Sequence, residues 1–223
     1  MKRLSSILSL SLLFALILAA LAITGCIASV GKEYFQLYLP QNTTAAGGGE
    51  TTRPIDKILL VESVEVDPIY NDYRLVYRTS PFHLNYYSYK YWIKKPGLLV
   101  KESIVDYFSK NNIFKKVITG FSGGEPDIQL KAVVYIIEEY DRPDAWFAHL
   151  KMDIRIIDFK TGEPVLSHSF DRQKQLVSRK VEHLPIVISG LLQEELDKVV
   201  SELLRVSPGD DVSMSSLGER KRG

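Results

Sequence analysis

The 223-residue chain has a single cysteine, Cys26. A disulfide framework needs paired thiols and a cysteine-based zinc site needs several, so the count excludes both. An excess of one charge is also missing: 28 Lys and Arg stand against 27 Asp and Glu. A nucleic-acid-binding domain ordinarily carries a basic excess to neutralise phosphates, so no nucleic acid is expected as a partner. The four histidines, His83, His149, His168 and His183, show no H-x-x-x-H or H-E-x-x-H spacing, and no metal site is expected. Neither a P-loop nor a G-x-G-x-x-G is present, so the chain has no ready cradle for a nucleotide.

Catalytic patterns are nearly as scarce. "GFSGG", Gly120 to Gly124, matches G-x-S-x-G. That nucleophile elbow needs a strand before the serine and a helix directly after it. Ser122 is followed instead by Gly-Gly-Glu-Pro and a strand-like run, which predicts a glycine-rich turn. A hydrolase using Ser122 ranks last among the readings, and no catalytic residue is assigned. The acidic run Glu138 to Asp144 lacks the alternating ligand spacing of a calcium loop and reads as a solvated strand end and turn. His149 falls on the polar side of an alternating strand and reads as solvated.

What is present begins at the N-terminus. Lys2-Arg3 precedes an apolar run from Leu4 to Ile23, and Ile23-Thr24-Gly25-Cys26 closes it. A basic start, an apolar stretch and small residues before a cut make a secretory signal peptide. The run is also about the 20 residues a membrane span needs, so an uncleaved anchor is the competing reading. The final tetrapeptide resembles the bacterial lipobox. That resemblance implies cleavage between Gly25 and Cys26 and a diacylglyceryl group on the Cys26 sulfur. One acyl chain holds only marginally and two or three hold stably, so such a lipid makes a secure tether. Ile27, rather than Asp, after the cysteine implies release to the outer membrane under enterobacterial sorting rules. The expected organisation is a signal peptide over 1–25, a lipidated tether over 26–32 and one domain over 33–205. A flexible loop is expected over 41–53 and a disordered tail over 206–223.

Strand patterns fill most of the domain: 32–40, 55–66, 73–78, 83–92, a short run from Phe114, 127–141, 148–159 and the run after the Lys160–Pro164 turn. In the seventh run Ala148, Leu150, Met152, Ile154 and Ile156 alternate with His149, Lys151, Asp153 and Arg155, as in a half-buried antiparallel strand. Pro96 opens a helix that presents Val100, Ile104, Tyr107 and Phe108 on one face and stops near Asn111-Asn112. A second helix, from Val181 or Pro185 to Arg205, carries Ile188, Leu192, Leu196, Val199 and Leu203. The sum is an α+β fold, a mainly antiparallel sheet with two helices packed on one face. Tyr86, Tyr87, Tyr89, Tyr91 and Trp92 place aromatics on both sides of one strand. They are either structural or, on one side, a partner-binding or lipid-contacting face.

The segment from Tyr73 to Phe108 resembles the signature of the ABC-type transport auxiliary lipoproteins, the PqiC-like family. Val76-Tyr77-Arg78 ends one strand, Tyr91-Trp92 ends its hairpin partner, Pro96 follows, and Leu98-Leu99 opens the amphipathic helix. "EYFQLYLP" and "KILLVESVEV" are similar to the family's first two strands, so the resemblance covers about residues 33 to 204. Two departures stand out: Lys94-Lys95 where acidic or small residues are usual, and the loop and tail. The resemblance implies a fold like the TolB N-terminal domain. It implies a non-enzymatic, lipid-anchored component of an envelope transport system at the periplasmic face of the outer membrane. The implied partners are an ABC permease and ATPase and a substrate-binding protein of the mammalian-cell-entry (MCE) type, which move lipids or other hydrophobic molecules. The alternative is a structural or assembly lipoprotein that scaffolds an envelope complex without touching cargo.

Overall fold

A computed structural model describes residues 31–40 and 55–206. The signal peptide, Cys26, the 41–53 loop and nearly all of the tail lie outside the described residues. Among the described residues eight strands form one sheet: β1 (Glu33–Phe35), β2 (Ile55–Val66), β3 (Arg74–Ser80), β4 (His83–Trp92), β5 (Phe114–Ile118), β6 (Ile128–Asp141), β7 (Trp146–Asp158) and β8 (Pro164–Gln175). Two α-helices among the described residues accompany them, α1 (Pro96–Lys110) and α2 (Leu184–Val206). The α+β class expected from the sequence is the fold observed.

β6 organises the sheet. One of its edges pairs antiparallel with β7 along the whole strand, and β7 pairs antiparallel with β8. These are the long meander ladders that the alternation predicted. The other edge of β6 is shared. β2 runs parallel to Ile128–Val134, and β3 runs parallel to Glu139 and Tyr140. β2 and β3 therefore lie end to end along one neighbour, separated by the 67–73 excursion. β5 extends the sheet beyond β2, again in parallel. β4 pairs antiparallel with β3, and β1 adds a parallel edge against β4. The parallel pairings are invisible to a reading of single strands, because they depend on which distant segments meet.

One hydrophobic core holds the stripes of both helices against the sheet. α1 begins at Pro96 with no side-chain cap, and it ends where Asn112 takes φ 50°. That left-handed step follows the usual way of closing a helix. A missing cap forgoes about 1 kcal/mol. Burying Leu99, Val100, Ile104, Tyr107 and Phe108 outweighs this, at about 1.5–3 kcal/mol for each large side chain. The start of α1 lies tight on β2: a Cβ on Gly97 would stand 2.8 Å from the Val64 carbonyl oxygen. α2 buries Ile188, Leu191, Leu192, Leu196, Val199 and Leu203. The Tyr107 hydroxyl donates to Asp197 Oδ1 at 2.5 Å and ties the helices together. After β1 the chain crosses this layer with Leu37 and Leu39 in the core, and the Tyr38 N–H donates to Ser189 Oγ at 3.0 Å. Among the described residues no helix is long and apolar enough to cross a membrane.

Candidate functional site

The tyrosine-rich strand β4 is not a simple alternating row. Between Tyr86, which pairs with Val76, and Tyr91, which pairs with Arg74, the register breaks, and residues 87–90 bulge from the ladder. The aromatics consequently go to separate destinations. Trp92 is 1% exposed and belongs to the core, so it drops out of any partner-binding face. Tyr86 stacks under the Arg74 guanidinium, 4.2 Å from ring centre to Cζ, and its hydroxyl donates to the Ile69 carbonyl at 2.8 Å. Tyr91 donates to the Ser88 carbonyl at 2.8 Å and lies 5.8 Å from the Tyr34 ring. Tyr87 packs on Tyr77 at 4.7 Å and donates to Glu139 Oε1 at 2.5 Å. Tyr89 is the one member of the run that stands exposed, at 47%.

Beneath this strand lies an acidic feature that the sequence pattern places in solvent. Glu138 and Glu139 are both fully buried, which corrects the expected solvated strand end, while the turn over 142–144 is exposed as expected. Register explains their separate roles. Glu138 pairs with His149 and Glu139 with Ala148, so the two carboxylates point to opposite faces of the sheet.

On the face away from the core, Glu138 Oε2 accepts from the Tyr70 hydroxyl at 2.6 Å, and Oε1 accepts from Arg78 Nε at 2.6 Å. Arg78 also donates to the Tyr70 oxygen at 3.1 Å. His149 lies between acids, Nδ1 3.5 Å from Glu138 and Nε2 2.7 Å from Asp171. It is 8% exposed, which corrects its assignment to a solvated face. The alternation of β7 assigned the face correctly. What covers that face is Tyr70, from the 67–73 excursion, together with Arg78 from β3. Burial by itself would push the Glu138 carboxyl up, but hydrogen bonds from His149, Arg78 and Tyr70 outweigh it and hold the group below its usual value. Burial likewise opposes a charged His149 ring, and Glu138 and Asp171 overcome it, raising the imidazole above 6.5.

On the core side, Glu139 and Asp141 sit two residues apart on one face of the strand end. Glu139 Oε2 and Asp141 Oδ1 are buried without a hydrogen-bond donor. Burial, reinforced by Asp141, pushes the Glu139 carboxyl up to about 8, and burial raises Asp141 as well. Two adjacent carboxylates in such a place retain a proton between them. A further buried acid, Glu195 on α2, is held by His168 Nε2 at 2.8 Å, Lys198 Nζ at 2.7 Å and Arg172.

Among the described residues, no group of three or more His, Cys, Asp or Glu side chains is placed to hold a metal ion. Ser122 occupies one exposed turn of 3-10 helix, Phe121–Gly123, followed by coil and then β6, so the strand–serine–helix geometry of a nucleophile elbow is absent. The sequence signal for the buried network was slight: Glu138-Glu139 follow "AVVYII" directly, inside a strand and not after it.

No family model matches the chain, and no curated protein matches it. Among solved structures, the fold is similar to that of a Xanthomonas campestris protein of the DUF330 family. The TM-score is 0.67 and the identity 15%, over 78% of this chain and 96% of that one. An uncharacterized protein is similar with a TM-score of 0.62 and 16% identity, over 78% of this chain and 99% of that one. A looser match is the lipoprotein GNA1162 from Neisseria meningitidis, with a TM-score of 0.35 and 12% identity, over 68% of this chain and 99% of that one. The first two define the class: an α+β domain with the fold seen in that DUF330 protein. At these identities the likeness is one of fold.

Proposed function

We propose that this chain is a membrane-anchored lipoprotein and a non-enzymatic auxiliary component of an ABC/MCE-type envelope transport system. In this reading it carries its domain at the periplasmic face of the outer membrane and docks a transporter of lipids or other hydrophobic molecules. The observation that carries it is in the chain order. Ile23-Thr24-Gly25-Cys26 closes an apolar leader, and Glu33 opens the first strand only a few residues later. A lipid on Cys26 therefore leaves a short tether to a folded domain. The auxiliary role rests on the resemblance of Tyr73–Phe108 to the ABC-type transport auxiliary lipoproteins. The exposed Tyr89 and the half-buried Tyr86, Tyr87 and Tyr91 are the candidates for the partner contact.

Two measurements test this. Replacing Cys26 with Ala should abolish palmitate labelling and leave an unprocessed precursor in the inner membrane. A mutant that still labels and matures rules out the lipoprotein. Affinity purification of the tagged chain should recover a permease, an ATPase and an MCE-type protein, whereas recovery of outer-membrane assembly factors only would favour a scaffold.

A further inference from the structure

We propose that the cleft between the start of α1 and the end of β2 binds one anionic amphiphile. Its acyl chain would lie over Tyr73, Ile93 and Leu98, and its acidic head group would meet Lys95 and Lys101. The cleft is wide and open to solvent, with a volume of about 640 Å³. Tyr73, Ile93 and Leu98 line it and are 49%, 52% and 47% exposed. Single exposed apolar residues need no explanation, but three gathered at one concavity do.

The rim selects the charge of the occupant. Lys94, Lys95 and Lys101 line the cleft, with Glu65 as the one acid among the lining residues. Lys94 is held by both carboxylate oxygens of Glu102 at 2.7 Å. Among the described residues no carboxylate forms an ion pair with Lys95 or Lys101, and the Lys95 ammonium stands 6.0 Å over the Tyr73 ring. The ion pairs observed nearby go elsewhere. The first turn of α1 has no acidic residue and no side-chain cap, so its partial positive charge adds to that of the lysines, while Asp72, paired with Arg74, lies within coulombic reach of Lys95. A cationic or neutral ligand would gain nothing from such a rim.

A lipid fits better than an acidic peptide because of where the cleft is attached. The Ile93 N–H donates to the Phe35 carbonyl at 2.8 Å, so one wall is fixed to β1. Phe35 is nine residue steps from Cys26, and an extended chain of that length reaches about 30 Å at most. With a lipid on Cys26, the reading on which this point rests, Phe35 can lie no farther than that from the acylated residue, which keeps a membrane within reach of this side of the domain.

The test uses the full-length chain in a bacterial membrane, with benzoylphenylalanine in place of Leu98 or, separately, Ile93. Tyr135, exposed on β6, serves as the control position. After irradiation, mass spectrometry of the crosslinked peptides should show acidic-lipid adducts at positions 98 and 93 and not at 135. Lys95→Ala with Lys101→Ala should lower the yield at least about fivefold, since each lysine near an anionic lipid surface adds to its binding. Protein adducts in place of lipid, equal labelling at 135, equal capture of zwitterionic lipid or indifference to the lysines would each overturn the proposal. Palmitate on Cys26, read in the same cells, separates the two ideas. Label without a lipid adduct overturns the cleft alone, and a lipid adduct without label overturns the anchor alone.

Discussion

Arg78 Nε stands 2.6 Å from Glu138 Oε1, and that carboxylate has no exposed surface. Its other oxygen is taken by the Tyr70 hydroxyl. The pair joins β3 to β6 at the end of the sheet where their pairing is only two residues long. Side chains therefore do much of the joining that a ladder would do elsewhere.

Removing Glu138 should expose this dependence. Glu138→Ala leaves Arg78, Tyr70 and His149 without the acceptor they share, and breaking a buried pair in this way costs about 3–5 kcal/mol. Against a total of about 5–15 kcal/mol, that is a large fraction. The urea midpoint should fall accordingly. A loss below about 1 kcal/mol would mean that water enters and replaces the carboxylate.

The His149 ring should titrate high. Its folded pKa lies above 6.5, so its stabilising contribution is complete below that value and fades as pH rises through the folded one. An NMR titration should give a midpoint above 6.5, and Asp171→Asn should lower it. A midpoint at or below 6.5 in the parent chain contradicts the network.

Glu139 should add a second slope of the same sign. Its folded pKa of about 8 exceeds the ordinary 4.5, so the fold prefers the protonated acid. That preference is fully present below about 4.5 and is lost progressively as pH rises to about 8. Glu139→Gln, which holds a neutral side chain at all pH values, should flatten the decline in thermal midpoint between pH 5 and 8. An unchanged profile would mean that the two carboxylates do not share a proton.

Trp92 and Tyr89 should separate structure from contact. Trp92→Ala should cost about 3–5 kcal/mol, as core aromatics do. Tyr89→Ala should stay within about 0.5 kcal/mol of the parent. If β4 meets a partner, Tyr89→Ala should weaken its co-purification while leaving the melt unchanged. Strong destabilisation by Tyr89→Ala would assign the whole run to structure.

Much of the element list was legible because it is written in local chemistry. Period-two alternation marked β7, Pro96 marked the start of α1, and Asn111-Asn112 marked its end. The bulge over 87–90 was not legible, and it disperses aromatics that a regular strand would have aligned. Nor was the fate of "EEYD". An acidic pair looks the same in sequence whether water or Tyr70, Arg78 and Tyr87 surround it.

The sequence by itself determined the absence of thiols from the domain, the near-neutral charge, the apolar N-terminal run before Cys26 and the α+β class. Each follows from composition or from periodicity along a few consecutive residues. Only the tertiary structure decided that β2 and β3 share one edge of β6. The same holds for the burial of Glu138 and Glu139 on opposite faces, and for the meeting of Tyr73, Ile93 and Leu98 with Lys95 and Lys101 at one cleft. The physical reason is distance along the chain. Burial, proton retention and charge complementarity depend on neighbours that lie tens of residues away, and a local pattern carries no record of which neighbours those are.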